Sequence, residues 1–232
     1  MRLDLNTHML EQLNLHFISA ASGRLLGGLL VTLELSAIVM VVSTFAGFAV
    51  AILVMSPFRL LRLPVRAYIE VFRCTPALVQ IVWFFYCVPV LFNVFWEPFT
   101  MAVMALSLNL TAYNAEAYRA AIQSIPKLHS DASVALGLNR WHFNRYVVFP
   151  QALRLALPVL VTNTIGMIQQ SALVALVAVE DLMYVTKSIA SSTYRPVEIY
   201  TVAALIYFAI AFTLSRVVAL IERRNRQLME RA

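Results

Sequence analysis

Long runs without a charged residue, separated by short basic segments, dominate the chain. Residues 29 to 55 carry only Glu34, and residues 74 to 96 and 155 to 179 carry no charge at all. Residues 98 to 115 are uncharged and extend through Glu116 to about Ile122, while residues 199 to 215 are uncharged and continue past Arg216 to Ile221. A helix needs about 20 mainly apolar residues to cross the hydrocarbon core of a bilayer, so the pattern predicts five transmembrane helices. Pro57 and Pro64 punctuate the turn after the first, Pro126 ends the third, and Pro150 and Pro158 bracket entry into the fourth. With no Pro/Gly/Ser linker, low-complexity segment or internal repeat, residues 1–232 read as a single transmembrane domain.

Composition agrees with that pattern. The 232 residues are 61% hydrophobic and 13% charged, with a mean hydropathy of +0.77. One soluble core of this length cannot hide that much apolar surface, so the expected class is an all-α membrane protein. The first apolar run follows a 24-residue leader containing Asp4 and Glu11. It is too long for a signal-peptide core and is followed by Arg59 rather than a small-residue cleavage site, so the N-terminus is expected to be retained. Cys74 and Cys87 share one apolar run with no nearby histidine or carboxylate. Neither a disulfide framework nor a metal site is expected, and both read as small buried residues.

The net charge of +6 is distributed as topology rather than as a nucleic-acid face, because the basic residues cluster between spans. Arg59, Arg62, Arg66 and Arg73 follow the first span. Arg119, Lys127, Arg140, Arg145 and Arg154 surround the loop after the third, and Arg216, Arg223, Arg224, Arg226 and Arg231 lie near the C-terminus. Only Arg2, Arg24, Lys187 and Arg195 fall on the other side. Lys and Arg accumulate on the cytoplasmic side, so the N-terminus is expected outside and the C-terminus in the cytoplasm. The arginine-rich tail from Arg223 to Arg231 suits anionic lipid headgroups, at about 1 kcal/mol per basic residue near the surface.

Candidate chemistry lies in two places. In the loop after the third span, Ser130 or Asp131 can cap a helix, and Val134, Leu138 and Trp141 follow at i, i+4 and i+7. Gly137 inside that helix costs about 1 kcal/mol relative to Ala, which points to a bend or to close approach by another backbone. Such an amphipathic helix can lie on lipid, where Trp141, Arg140 and Arg145 suit headgroups, or dock on a partner; the spacing leaves both open. In the fourth span, setting Thr162 at 0° and turning about 100° per residue places Gly166 near 40°, Gln170 near 80°, Asn163 near 100° and Gln169 near 340°. This polar stripe can line a substrate path or hydrogen-bond between helices, with Gly166 permitting close packing. Glu34 reads as a snorkelling carboxylate early in the first span. Glu116 and Arg119, at i and i+3, form either a helix pair or a functional site within a span.

A resemblance bears on the loop. Asp131-Ala132-Ser133, then Gly137 after three intervening residues, then Val147-Val148-Phe149-Pro150 after nine more, resemble the Glu-Ala-Ala loop of the membrane subunits of binding-protein-dependent ABC importers. Three further stretches resemble the polar amino acid branch of that family: Gly28 to Ser36, Phe72-Arg73-Cys74-Thr75-Pro76, and Tyr113-Asn114-Ala115-Glu116 with Arg119 to Lys127. The chain departs from the family with Asp131 for Glu, Ser133 for the second Ala, Cys74 for Gly, and Ala120-Ala121 for a Gly pair. Nor does it carry the charged residue the family often has near Gln169 or Gln170.

The resemblance implies the type I importer permease fold, five transmembrane helices with a cytoplasmic coupling helix in a loop at about 124–151, in a bacterial inner membrane. It implies that Asp131, Ala132, Ser133, Gly137, Trp141 and Pro150 couple the chain to a cytoplasmic ATPase dimer that carries the ATP and Mg²⁺. It also implies a second permease subunit, identical or paralogous, and a periplasmic or extracytoplasmic binding protein for a polar or charged L-amino acid. The substrate path would then involve Asn163, Gln169, Gln170, Thr75 and Glu116. The phosphate-loop pattern G-x-x-x-x-G-K-[ST] does not occur, so this chain is expected to bind no cofactor and to be no enzyme itself. An ion-coupled transporter or channel is the alternative, and intramembrane carboxylate pairs would favour it; only isolated Glu34 and Glu116 are present. For a membrane enzyme, His8, His16, His129 and His142 form no cluster with acidic or nucleophilic residues in the sequence.

Overall fold

A computed structural model describes residues 15–126, 128 and 135–229, and among them there is no strand. Seven helices carry the fold: α1 Leu15–Val54, α2 Arg59–Cys74, α3 Ala77–Phe92, α4 Pro98–Gln123, α5 Phe149–Ser171, α6 Leu182–Thr193 and α7 Pro196–Met229. A helical lead-in precedes α5, a short turn at Arg140–His142 and a π segment at Phe143–Val148, and a 3-10 segment at Ala172–Val177 follows it. By length and composition, Ala21–Val54, Phe143–Val177 and Pro196–Leu220 can each cross a membrane. A fourth candidate is the pair α2 and α3, bent by 110° at the break between them.

α4 is the centre of the bundle. Its 26 residues rise about 39 Å, and buried residues occur on all its faces, from Met101 and Ala105 through Asn109 and Asn114 to Tyr118 and Ala121. Ser107, Asn109, Thr111 and Asn114 are buried with them, so this helix is packed against protein along its length. The first helix, α1, packs along it through Leu35, Val39 and Ala51, and one glycine sets the distance. A Cβ on Gly47 would stand 2.8 Å from Asn114 Cβ and 3.3 Å from the Ala115 nitrogen, the kind of small-residue contact that lets helices close up inside a membrane. The opposite face of α1 exposes Leu26, Leu30, Val41 and Phe45. A helix apolar all round is what lipid on one side and protein on the other requires.

Helix ends follow local chemistry. Pro98 starts α4, where its missing N–H is no loss. Asn93 ends α3 with φ 53, a left-handed conformation that Asn tolerates. Asp181 caps α6 by accepting from the Tyr184 backbone N–H at 2.9 Å. Thr32 Oγ1 accepts from Leu182 N at 3.0 Å and donates to Gly28 O at 3.1 Å, fastening α6 to α1.

Several expectations need correction. The segment after the first span, read as a proline-punctuated turn, is the 16-residue helix α2, with Pro64 inside it; its polar and apolar faces, which bury Ile69, outweigh the one backbone bond a proline removes. The second span, expected over 74–96, is the shorter α3, because the chain turns sharply at Thr75 and Pro76. Cys74 is exposed at that turn rather than buried, and Cys87 is half-buried. Glu34 is exposed on α1. The helix expected to run from Asp131 to Trp141 does not pass through Gly137, which adopts φ +68 in a turn. Asp131, Ala132, Ser133 and Val134 lie outside the described residues.

Candidate functional site

A cleft of about 170 Å³ opens between α4 and α5. Thr162, Asn163, Gly166 and Gln170 line it from α5, and Asn109 and Tyr113 line it from α4, with Leu110 and Met167 as apolar wall. None of these side chains is charged. The α5 residues share one face because they recur at helical spacing, and Gln169, about 100° from Gln170, is exposed outside the cleft. Asn109 is not among the residues the sequence points to, and Tyr113 enters there only within the family-like stretch Tyr113-Asn114-Ala115-Glu116, not as a site residue. Their i, i+4 spacing on the third span was the available signal.

Two networks brace the cleft. Asn163 Nδ2 donates to Asn114 Oδ1 at 3.1 Å, and Asn114 Nδ2 donates to Ser43 Oγ at 3.4 Å; α5, α4 and α1 are joined at one level. The second runs to the bend between α2 and α3. Asn109 Nδ2 donates to Phe72 O at 3.2 Å and to Gln80 Oε1 at 3.0 Å. Gln80 Nε2 in turn donates to Phe72 O at 2.9 Å and to Thr75 Oγ1 at 2.6 Å. Thr75 therefore does not line the cleft; it holds the bend to which a cleft residue is attached. These bonds satisfy carbonyls that the bend leaves without helical partners.

Glu116 lies elsewhere, in a larger cavity between α2 and α4. Both its oxygens meet the Arg119 guanidinium, one of them at 2.9 Å from Nε, and Arg119 also donates to Gln123 Oε1 at 2.9 Å. The helix pair weighed from the sequence is thus formed. Tyr113 stands between the two cavities, with its hydroxyl 3.4 Å from Arg73 O and the Arg73 guanidinium 5.7 Å from its ring centre.

The described part of the loop before α5 presents a second candidate surface. Asn139 Oδ1 accepts from His142 N at 2.8 Å and starts a helical turn. Trp141, His142 and Tyr146 then form an aromatic cluster, with Trp141 to His142 at 5.2 Å and His142 to Tyr146 at 5.8 Å between ring centres. Arg145 lies 6.0 Å above Trp141. Leu136, Trp141 and Tyr146 are 77%, 62% and 64% exposed. Gly137 meets no atom within 4 Å of a Cβ position, so its positive φ, and not crowding, is what glycine serves here. Pro150 sits in the first turn of α5.

The family model for binding-protein-dependent transport system inner membrane components matches residues 16–227. The chain is 37% identical over 162 residues to the glutamine transport system permease protein of Escherichia coli K12, covering 69% of this chain and 74% of that protein. It is 31% identical over 219 residues to the nopaline transport system permease protein of Agrobacterium fabrum, covering 90% and 91%. The solved structure of an amino acid ABC transporter with histidines superposes at a TM-score of 0.81 with 34% identity, over 90% of this chain and 97% of that one.

Proposed function

We infer the function from one premise: this chain belongs to the family of binding-protein-dependent transport system inner membrane components. It is a multi-pass permease subunit of an amino acid ABC importer and has the type I importer permease fold. Family membership favours this reading over the ion-coupled alternative. An importer of this kind works with an ATPase and a binding protein. Our finer reading is that the chain crosses the membrane five times, N-terminus outside. It pairs with a second, identical or paralogous permease and rests on a cytoplasmic ATPase dimer that handles ATP and Mg²⁺, while this chain catalyses nothing. In our reading the exposed aromatic surface at Trp141 and the segment from Asp131 to Gly137 carry the coupling.

The observation that supports a substrate role is the uncharged cleft between α4 and α5. An amide side chain both donates and accepts hydrogen bonds, so Gln170 and Asn163 match both the ammonium and the carboxylate of a polar amino acid. Alternating access would then alternately expose this cleft to the two sides of the membrane. Gln170→Leu tests the reading, because Gln170 lines the cleft while Gln169 does not. Losing one hydrogen bond worth about 1 to 1.5 kcal/mol raises KM for the transported amino acid about tenfold. Gln169→Leu leaves it unchanged. Unchanged kinetics in both variants would assign the stripe to packing.

A further inference from the structure

Outside that cleft, an open cavity of about 540 Å³ lies between α2 and α4, lined by Arg62, Arg66, Arg73 and Arg119 with Glu70 and Glu116. We propose that it binds the phosphate of an anionic phospholipid headgroup. The two carboxylates are already matched: Glu70 accepts from Arg66 Nε at 2.9 Å, and Glu116 is bonded to Arg119. No carboxylate is paired with Arg62 or Arg73 among the described residues, so the cavity carries an excess of two positive charges. Guanidinium forks are suited to phosphate oxygens.

Position selects a lipid over a free anion. Val54, the last residue of the first membrane span, forms part of the floor, and Gln123, the last residue of α4, forms part of the wall. The cavity therefore opens where helices leave the apolar layer, which is the depth of headgroup phosphates. At about 100° per residue, Arg62, Arg66 and Arg73 share one face of α2, while Leu60 and Val71 lie on the opposite face and Leu63 on its flank. These three are exposed. A helix with basic and apolar faces divided in this way lies in the interface plane, apolar side toward acyl chains. Such a helix brings a phosphate and its chains to the protein together.

The full chain, purified with the subunits that accompany it and placed in nanodiscs, provides the test. Native mass spectrometry reads how many dioleoylphosphatidylglycerol molecules stay bound when the discs contain equal parts of that lipid and dioleoylphosphatidylcholine. Wild type is expected to retain phosphatidylglycerol selectively. Arg62→Gln and Arg73→Gln should each reduce that retention about fivefold, and the lysine versions at the same positions should keep most of it. Arg59, on the same helix but outside the cavity, is the control, and Arg59→Gln leaves retention unchanged. The proposal is overturned if both lipids are retained equally. It is also overturned if Arg59→Gln costs as much as the cavity variants, which would indicate diffuse surface attraction, or if millimolar inorganic phosphate displaces the lipid completely, which would indicate a site for soluble anions.

Discussion

Asn114 receives the Asn163 amide at 3.1 Å and donates to Ser43, so one side chain of α4 bonds to two other helices beside Gly47, where α1 approaches α4 closely. Each such bond inside a membrane is worth about 0.6 kcal/mol. Their weight lies in fixing which residues face each other rather than in total stability. Tyr118 presents the opposite case. It is fully buried in the cluster with Ala51, Ala152 and Ala156, edge-on to Phe48 at 5.4 Å, and its hydroxyl has no partner among the described residues. An unmade hydrogen bond of this kind costs about 1 to 3 kcal/mol, whereas the ring supplies the packing. Tyr118→Phe should therefore keep or raise the thermal melting temperature of the purified protein, while Tyr118→Ala lowers it by removing the ring. If Tyr118→Phe melts as early as Tyr118→Ala, the hydroxyl has a role that packing does not explain.

The lead-in to α5 joins the aromatic surface at Trp141 to the cleft residues on a single helical rod, and six of its residues, Phe143–Val148, are wound as a π-helix. A π turn behaves as one extra residue inserted into an α-helix without moving its flanks. Deleting Asn144 should therefore let the α-helix close up with the cleft stripe still facing α4, and uptake should persist. Deleting Leu157, in regular helix between that segment and the stripe, turns everything beyond it by about 100° relative to what precedes it and should abolish uptake. Equal loss in both deletions would show that the π turn is not slack. The apolar runs were legible in the sequence because lipid demands them, and the stripe at Thr162, Asn163, Gly166 and Gln170 because it repeats at helical spacing. Other elements were not. α2 hides behind Pro57 and Pro64, and its amphipathic pattern was read as loop charge. α6 begins at a capping Asp181 followed by buried Leu182, Thr186 and Ile189, a pattern too short to stand out beside the spans. The joining of Thr75, Gln80 and Asn109 across the bend depends on a 110° turn that no local pattern announces.

At the scale of the whole molecule, charge and apolar surface divide along one axis. Arg24 donates to Ser188 Oγ at 3.1 Å, so the N-terminal part of α1 and the middle of α6, with exposed Lys187, occupy one end. The cavity arginines mark the other, where α1 and α4 terminate. Basic residues are denser at that second end, and denser basic loops remain in the cytoplasm because moving them across the membrane is opposed. The exposed flanks, with Leu30 and Phe45 on α1, Val90 and Phe92 on α3, and Leu205 and Phe208 on α7, provide the apolar girdle between. Orientation is therefore testable by accessibility once the two free thiols are removed, since Cys74 is itself exposed. In a Cys74→Ser, Cys87→Ser background, Lys187→Cys should react with an impermeant maleimide added to intact cells, and Asn225→Cys should react only after the membrane is opened. The reverse pattern would put the basic end outside, and with it both the aromatic surface at Trp141 and the proposed phosphate cavity. That outcome would overturn the coupling role proposed for the Trp141 surface.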